Sequence, residues 1–207
     1  MLTLWDNADS SNALKARFLL AELALPYERR DVPLTQPRPP AYLAVNPLGG
    51  IPALDDDGFM LAESQAILRY LAARERRDDL YPADARERAR VDELLDRFAT
   101  RLRGPLFRHE AAALGWTLAH GFDPSAADPE AAARIEQELQ PHLALFEGVV
   151  GERAAVLDRF TIADCALAPV LHRTRHTGLR LDAYPRLSAL REAVLARPAW
   201  AAADPGL

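Results

Sequence analysis

The sequence contains little cysteine, little lysine and no long apolar run. Its one cysteine, Cys165, cannot form a disulfide within the chain or supply a cluster of thiolate metal ligands, which fits a reducing compartment. No apolar segment approaches the ~20 residues that a membrane helix needs, and the first residues lack the basic and apolar regions of a signal peptide. These absences predict a cytoplasmic protein that has no membrane partner and holds no metal.

Excess basic charge and several well-known motifs are missing as well. The chain has 25 Lys and Arg residues against 30 Asp and Glu, and the resulting net charge of −5 argues against a nucleic-acid partner. It has no CxxC, Walker, GxGxxG or GxSxG motif, so exchange through protein thiols, nucleotide hydrolysis and α/β-hydrolase chemistry have no support. What is present, 207 residues of which 49% are hydrophobic, is typical of one or two globular domains.

Strand and helix patterns alternate over the first part of the chain. Met1–Trp5 is a short apolar strand, and apolar residues recur at helical spacing over Leu14–Leu25. Tyr27–Leu34 can form a second strand, and the Asp57-Gly58 pair between two apolar runs predicts a hairpin. Ser64 is a good N-cap for a further helix. The predicted order is β-α-β followed by β-β-α.

The pattern changes after Pro82, where helical periodicity continues without a convincing strand. Apolar residues recur at helical spacing over Val91–Leu102 and again over Ile135–Phe146, although Pro141 should kink or break the second of these helices. We therefore predict two domains, an α/β domain over 1–80 and an all-helical domain over 86–207.

The segment between the first strand and the first helix is the first candidate for chemistry. Asp9, Ser10, Ser11 and Asn12 all favour the start of a helix, where free N–H groups and the helix dipole stabilise an anion such as a phosphate, a carboxylate or a thiolate. The alternative is that one of these residues only caps the helix.

Two further segments could hold a ligand with a peptide backbone. The Ile51-Pro52 bond follows Gly49-Gly50, and a cis bond there would turn the Ile51 backbone outward to pair with such a ligand. Glu63 and Ser64 at the start of a helix could hold an ammonium and a carboxylate, or form a helix cap with an exposed acid beside it.

Other suggestive residues are better explained by structure. Asp55–Asp57 is a solvated turn, because neighbouring carboxylates there point in different directions. Thr161-x-x-Asp164 is a capping box, His172 and His176 lie at a basic helix end, and Cys165 is an inert core thiol. Helical spacing fits core packing as well as a pocket lining for the apolar residues Leu102, Leu106, Phe107, Leu114 and Trp116.

Taken in order, these segments resemble the cytosolic glutathione S-transferases, and the likeness runs along nearly the whole chain. The segments that carry it are Leu2-Thr3-Leu4-Trp5, Ser10–Arg17, Pro26-Tyr27-Glu28, Asn46-Pro47 to Pro52-Ala53-Leu54, Glu63 to Ile67, Phe160 to Asp164, Tyr184 to Leu187, and Ala196 to Trp200. Any one of these motifs is weak, whereas the ordered set is specific.

The resemblance implies the glutathione transferase architecture, an α/β thioredoxin-like domain that binds glutathione and an all-α domain that shapes a pocket for a small hydrophobic electrophile. It implies that Glu63 and Ser64 hold the γ-glutamyl group, that Ile51 before a cis Pro52 pairs with the cysteinyl part, and that Ser10 activates the thiol. Trp5 has no hydroxyl to donate, which favours a bacterial serine-type enzyme. A homodimer with a role in detoxification is also implied, with glutathione as co-substrate.

Departures from the family pattern leave alternatives open. Gly50 stands where many relatives carry a Lys or Gln for the glycyl carboxylate, which weakens that end of the site. Asn12 matches an asparagine that some bacterial relatives use, so Ser10, Ser11 and Asn12 are all candidates for contact with the thiol. Glutathione-dependent disulfide or peroxide reduction, and a non-catalytic interaction module with the same fold, are the alternative functions.

Overall fold

The first part of the chain folds around a mixed four-stranded sheet. The protein is described by a computed structural model that covers residues 1–117 and 119–203. The sheet has the order β2-β1-β3-β4, with β1 and β2 parallel and the other neighbours antiparallel. Its elements are β1 Leu2–Asp6, α1 Ser11–Glu22, β2 Tyr27–Asp31, α2 Pro40–Leu43, β3 Ala53–Asp56, β4 Phe59–Ala62 and α3 Ser64–Arg74.

The central strand β1 explains why the cavity described below forms where it does. Leu2 and Leu4 of this strand are buried in the core that α1 and α3 cover, and Leu4 faces Leu54 of β3 in the ladder. The chain then turns from β1 directly into α1, so the amino end of that helix lies at the end of the sheet. The predicted β-α-β and β-β-α order is confirmed.

The second part of the chain is a helical domain. A π-helical turn over Phe98–Leu102 joins the first two of its helices, and α7 is buried along most of its length. The predicted capping box is confirmed, because the Asp164 carboxylate accepts from the Thr161 N–H at 2.7 Å and the Thr161 side chain accepts from Ala163. The helices are α4 Ala85–Arg97, α5 Arg103–Leu114, α6 Pro129–Glu147, α7 Ile162–Thr177, α8 Pro185–Leu195 and α9 Pro198–Ala203.

Two local predictions for this domain were wrong. The expected break at Pro141 is absent, because α6 runs without interruption over Pro129–Glu147. The flanking Leu139 and Leu143 are fully buried, and the free energy gained by their burial is comparable with the ~3 kcal/mol that an internal proline costs. A short hairpin, β5 Trp116–Thr117 and β6 Gly121–Phe122, interrupts the helices after α5. No sequence pattern indicated this hairpin, since each strand has only two residues. No helix in the described ranges is long and apolar enough to cross a membrane.

Candidate active site

A cavity of about 460 Å³ lies at the amino end of α1, between the sheet domain and the helical domain. Every residue that the sequence nominated for thiol activation or glutathione binding lines it, whereas only two of the five apolar candidates, Phe107 and Trp116, do so. From the sheet domain these are Ser10, Ser11, Asn12, Gly50, Ile51, Pro52, Glu63 and Ser64, and the wall on the helical side includes Arg103, Phe107, Glu110, Trp116 and Phe122. The fold thus brings together segments that are far apart in the sequence.

Ser10 is the N-cap of α1, so the capping interpretation is correct. Its Oγ accepts from the Ala13 backbone N–H at 3.2 Å, and its backbone is extended, with φ −81° and ψ 108°. A hydroxyl that accepts one hydrogen bond keeps its own O–H for donation. Capping the helix and donating to a ligand in the cavity are therefore compatible roles for this one side chain.

The next two residues of α1 are bound by cations that the sequence did not indicate. The Ser11 Oγ accepts from Arg103 Nη2 at 3.1 Å, and the Asn12 Oδ1 accepts from Arg103 Nε at 3.2 Å and from Lys15 Nζ at 2.8 Å. Burial lowers the pKa of Arg103, and it lowers the pKa of Lys15 well below 10.5. The guanidinium of Arg103 stays protonated in proteins, so its positive charge adds to the helix dipole at this end of the cavity.

The Ile51-Pro52 peptide bond is cis, as the resemblance implied. The Gly50 carbonyl before it accepts from Asn46 Nδ2 at 2.8 Å and from the Tyr42 hydroxyl, which fixes this turn. Neither the Ile51 N–H nor its C=O is hydrogen-bonded within the part of the chain that the structure describes. Both groups can therefore pair with a peptide-like ligand in the cavity.

The start of α3 differs from the prediction. Glu63, with φ of 71°, is the N-cap residue, and Ser64 is already the first residue of the helix, so the expectation that Ser64 caps it was wrong. Non-glycine residues seldom adopt positive φ, and such residues concentrate at binding sites. The Glu63 side chain is exposed at the cavity and makes no cap hydrogen bond. Its carboxylate is thus available to accept from an ammonium.

The helical wall combines aromatic rings with a buried ion pair. The Phe107 and Trp116 rings meet edge to face at 5.2 Å, whereas Leu102 and Leu106 are buried in the core. The Arg173 Nη1 atom lies 2.7 Å from Glu110 Oε1, and its Nη2 donates to the carbonyl of Asp9. Sequence reasoning missed these charged residues because each lies on a helix whose pattern only reports which face is buried.

Neither a protein thiol nor a metal-binding cluster was found at the cavity. Cys165 is fully buried on α7, and burial raises the pKa of its thiol. Within residues 1–117 and 119–203 there is no group of three or more His, Cys, Asp or Glu side chains that could hold a metal ion. The groups that the cavity does offer include the Ser10 and Ser11 hydroxyls, the Asn12 amide, the Arg103 guanidinium and the Glu63 and Glu110 carboxylates.

A thioredoxin-like sheet domain joined to a helical domain, with a cavity between them, is the architecture of one class of transferases. The family model of the glutathione S-transferase N-terminal domain matches residues 1–73, and the family model of the C-terminal domain matches residues 129–193. The chain belongs to the glutathione S-transferase family of enzymes.

Several relatives match along almost the full length of the chain. Maleylacetoacetate isomerase of Pseudomonas aeruginosa is 32% identical over 206 residues, covering 95% of this chain and 92% of the relative. The glutathione S-transferase GstB of Escherichia coli is 31% identical over 209 residues, covering 96% and 95%. Among solved structures, the theta-class glutathione S-transferase of Xanthomonas axonopodis pv. citri with glutathione bound aligns with a TM-score of 0.87 at 26% identity, covering 100% and 98%.

Proposed function

We propose that this enzyme ionises the thiol of glutathione at the amino end of α1 and directs the thiolate at a small hydrophobic electrophile. The observation that carries the proposal is the set of donors and cations that meet there, namely the Ser10 hydroxyl, the Asn12 amide and the Arg103 guanidinium. The thiolate is the nucleophilic form, and donors aimed at the sulfur lower its pKa, each unit corresponding to ~1.4 kcal/mol. The fixed geometry then supplies orientation.

Each part of glutathione has a matching group in the cavity. The Glu63 carboxylate suits the γ-glutamyl ammonium, the free N–H groups at the start of α3 beside Ser64 suit its carboxylate, and the Ile51 backbone suits the cysteinyl peptide. Ser10 then lies where the sulfur is expected. We assign glutathione binding to the sheet domain over 1–80 and the electrophile pocket to the helical domain over 86–207.

The glycyl carboxylate needs a cation that Gly50 cannot supply, and Arg38 takes this role in our proposal. Arg38 lines the same cavity, and its Nε donates to the Gly49 carbonyl at 2.9 Å. Its Nη2 makes no hydrogen bond to the described residues and can donate to a carboxylate. Arg38→Met should raise the Kd for glutathione about tenfold and leave the weaker binding of glutathione monoethyl ester nearly unchanged. Equal losses for both ligands would contradict this assignment.

The Ser10 hydroxyl and the Ser11 hydroxyl provide a matched pair for the central experiment. Ser10→Ala should raise the pKa of the bound thiol and lower conjugation of an aryl halide, whereas Ser11→Ala, which removes the hydroxyl bound to Arg103, should change both less. Absorbance of the thiolate across a pH series gives the pKa. If Ser10→Ala leaves that pKa unchanged, the activating role moves to Ser11 or Asn12.

Two comparisons separate the proposal from its alternatives. Faster turnover of a mixed disulfide or a peroxide than of an aryl halide would indicate a glutathione-dependent reductase, in which the thiolate attacks sulfur or oxygen. No binding of glutathione at millimolar concentration in a calorimeter would indicate a non-catalytic interaction module. Conjugation of electrophiles by a cytoplasmic enzyme fits a role in detoxification.

A homodimer is the second part of the proposal, and exposed apolar side chains support it. Leu48 is 89% exposed and Phe59, on the edge strand β4, is 51% exposed. An edge strand offers unpaired backbone groups to a second chain, and exposed apolar side chains beside it add area that a partner could bury. Phe59→Glu should shift the protein toward a monomer in sedimentation analysis. An unchanged mass would contradict this interface.

A further inference from the structure

The single lysine of the sequence is buried on α1 directly below the site. Lys15 is 1% exposed, its Nζ lies 4.6 Å from the centroid of the Phe98 ring, and its hydrogen bond to Asn12 Oδ1 measures 2.8 Å. Burying an amine is costly unless it has partners. Lys15 lies outside the cavity lining, so it does not touch a ligand there. Its only side-chain hydrogen bond within the described residues is the one to Asn12, and that contact indicates its role.

The chemistry of the two donors fixes the orientation of the Asn12 amide. Lys15 Nζ and Arg103 Nε both donate, and both lie within hydrogen-bond distance of the same atom, at 2.8 and 3.2 Å. Only the carbonyl oxygen of the amide can accept from two such donors, because the amide nitrogen is itself a donor. The Asn12 Nδ2 makes no hydrogen bond to a described residue, and Asn12 lines the cavity.

We propose that Lys15 is a positioning residue for thiol activation: together with Arg103 it holds the Asn12 oxygen, so that the amide nitrogen is presented to the glutathione sulfur as a donor. This inference rests on the proposed function, since it assumes that the sulfur lies at the start of α1. An amide free to rotate would turn its oxygen toward the thiolate in part of the population, and an oxygen facing an anion is repelled by it. Clamping the oxygen removes that orientation.

The protonation state of Lys15 does not decide the outcome. Burial lowers the pKa of its amine, the charge of Arg103 lowers it further, and Glu63 raises it. A neutral amine still carries N–H donors, so Lys15 holds the amide oxygen in either state. Positioning through Asn12 is therefore distinct from a direct effect of the Lys15 charge on the sulfur, and the two can be separated by experiment.

Lys15→Met tests the proposal, since methionine keeps most of the length and packs against Phe98 while it removes the donor. The pKa of the bound glutathione thiol should rise by about one unit, a tenfold loss of thiolate at a pH below that pKa. The Kd for S-methylglutathione, which has no ionisable thiol, should change less than twofold. A thiol pKa within about 0.2 units of the original would overturn the proposal. Arg90→Met, at a side chain that is 71% exposed, is the control for the same chemical change.

The Asn12→Ala background separates positioning from direct charge. If Lys15 acts through the amide, Lys15→Met adds no shift to the one that Asn12→Ala causes, whereas an equal additional shift would show that it acts directly and would overturn the proposal. Should Lys15→Met fail to fold, Asn12→Asp decides. The aspartate still accepts from Lys15 and Arg103 but lacks the Nδ2 donor of the amide, so the thiol pKa must rise, and an unchanged value overturns the proposal.

If the original protein binds no glutathione, it is the proposed function that fails. Bound glutathione with a lowered thiol pKa and no response to these variants leaves the proposed function standing and removes only the role of Lys15.

Discussion

The buried arginine of α1 gives the sharpest test of how the active-site loop is held. The Arg17 Nη1 atom donates to both oxygens of Asp6, at 2.8 and 3.0 Å, and to the Asn7 carbonyl at 3.1 Å. Its Nη2 donates to the Ala8 carbonyl at 3.2 Å and its Nε to the Ala203 carbonyl at 3.0 Å. One guanidinium thus joins the end of β1, the loop that leads to α1, and α9.

Arg17→Met removes these donors and leaves Asp6, which is fully buried, without its main partner. Breaking one side of a buried ion pair costs about 3–5 kcal/mol. Arg29 also contacts Asp6, with its Nε at 2.6 Å from Oδ2, but its side chain is 41% exposed and retains only part of the stabilisation. We therefore expect the free energy of unfolding to fall by about 3 kcal/mol, the lower end of that range.

Urea unfolding followed by circular dichroism measures this change, with Arg90→Met as the control. The control breaks an exposed i,i+3 pair with Glu93 and should cost less than about 0.5 kcal/mol. Asp6→Asn in the Arg17→Met background should cost less than it does alone, because the charge left unpaired is then gone. A loss below about 1 kcal/mol for Arg17→Met would refute the view that this residue anchors the loop.

Three further predictions concern the helical domain. Burial raises the pKa of Asp164 from 3.8 to about 7, so this side chain keeps its proton in the folded state at pH values where the unfolded state has lost it. The stability that the bound proton contributes is complete below about pH 4 and is lost by about pH 7. The melting temperature should therefore fall between pH 4 and pH 7 relative to that of Asp164→Asn. Gly115→Ala should cost more than 1 kcal/mol in urea unfolding, since its φ is +72° and an added Cβ would lie 1.9 Å from the Asp123 oxygen, while Gly104→Ala, with open space, should be neutral or stabilising. Cys165 should react with a thiol reagent only when the protein unfolds.

Local signals in the sequence predicted the parts of the fold that local interactions determine. The Asp57-Gly58 hairpin, a helix cap within residues 9–12 and the Thr161–Asp164 box each depend on residues a few positions apart. The structure has all three, and the cap falls on Ser10. Ser64 was misplaced by one position because Glu63 takes a positive φ that no propensity rule assigns to a glutamate. That backbone position depends on tertiary packing.

Sequence patterns could not predict the cations at the site either, because their contacts also depend on tertiary packing. Arg103 and Arg173 lie on α5 and α7, and their contacts with Ser11, Asn12 and Asp9 join positions that are distant in the chain. Helical periodicity reports which face of a helix is buried but not what a charged residue on that face meets across the interface. The net charge did not indicate a cluster of basic side chains either, since the chain as a whole is acidic.

The backbone that leads to Ser10 has its carbonyl groups paired with buried guanidinium groups. The carbonyls of residues 7 and 8 accept from Arg17, and that of Asp9 accepts from Arg173, so these partial negative charges are neutralised by guanidinium groups. Net charge determines the electrostatic potential far from a protein, whereas the potential inside a cavity depends mainly on the groups that line it. With carbonyls 7–9 held in this way, the N–H groups at the start of α1 that follow them face no unpaired backbone acceptor from this segment. The one protein thiol is buried on α7, which agrees with the proposed mechanism, in which the reacting sulfur belongs to glutathione.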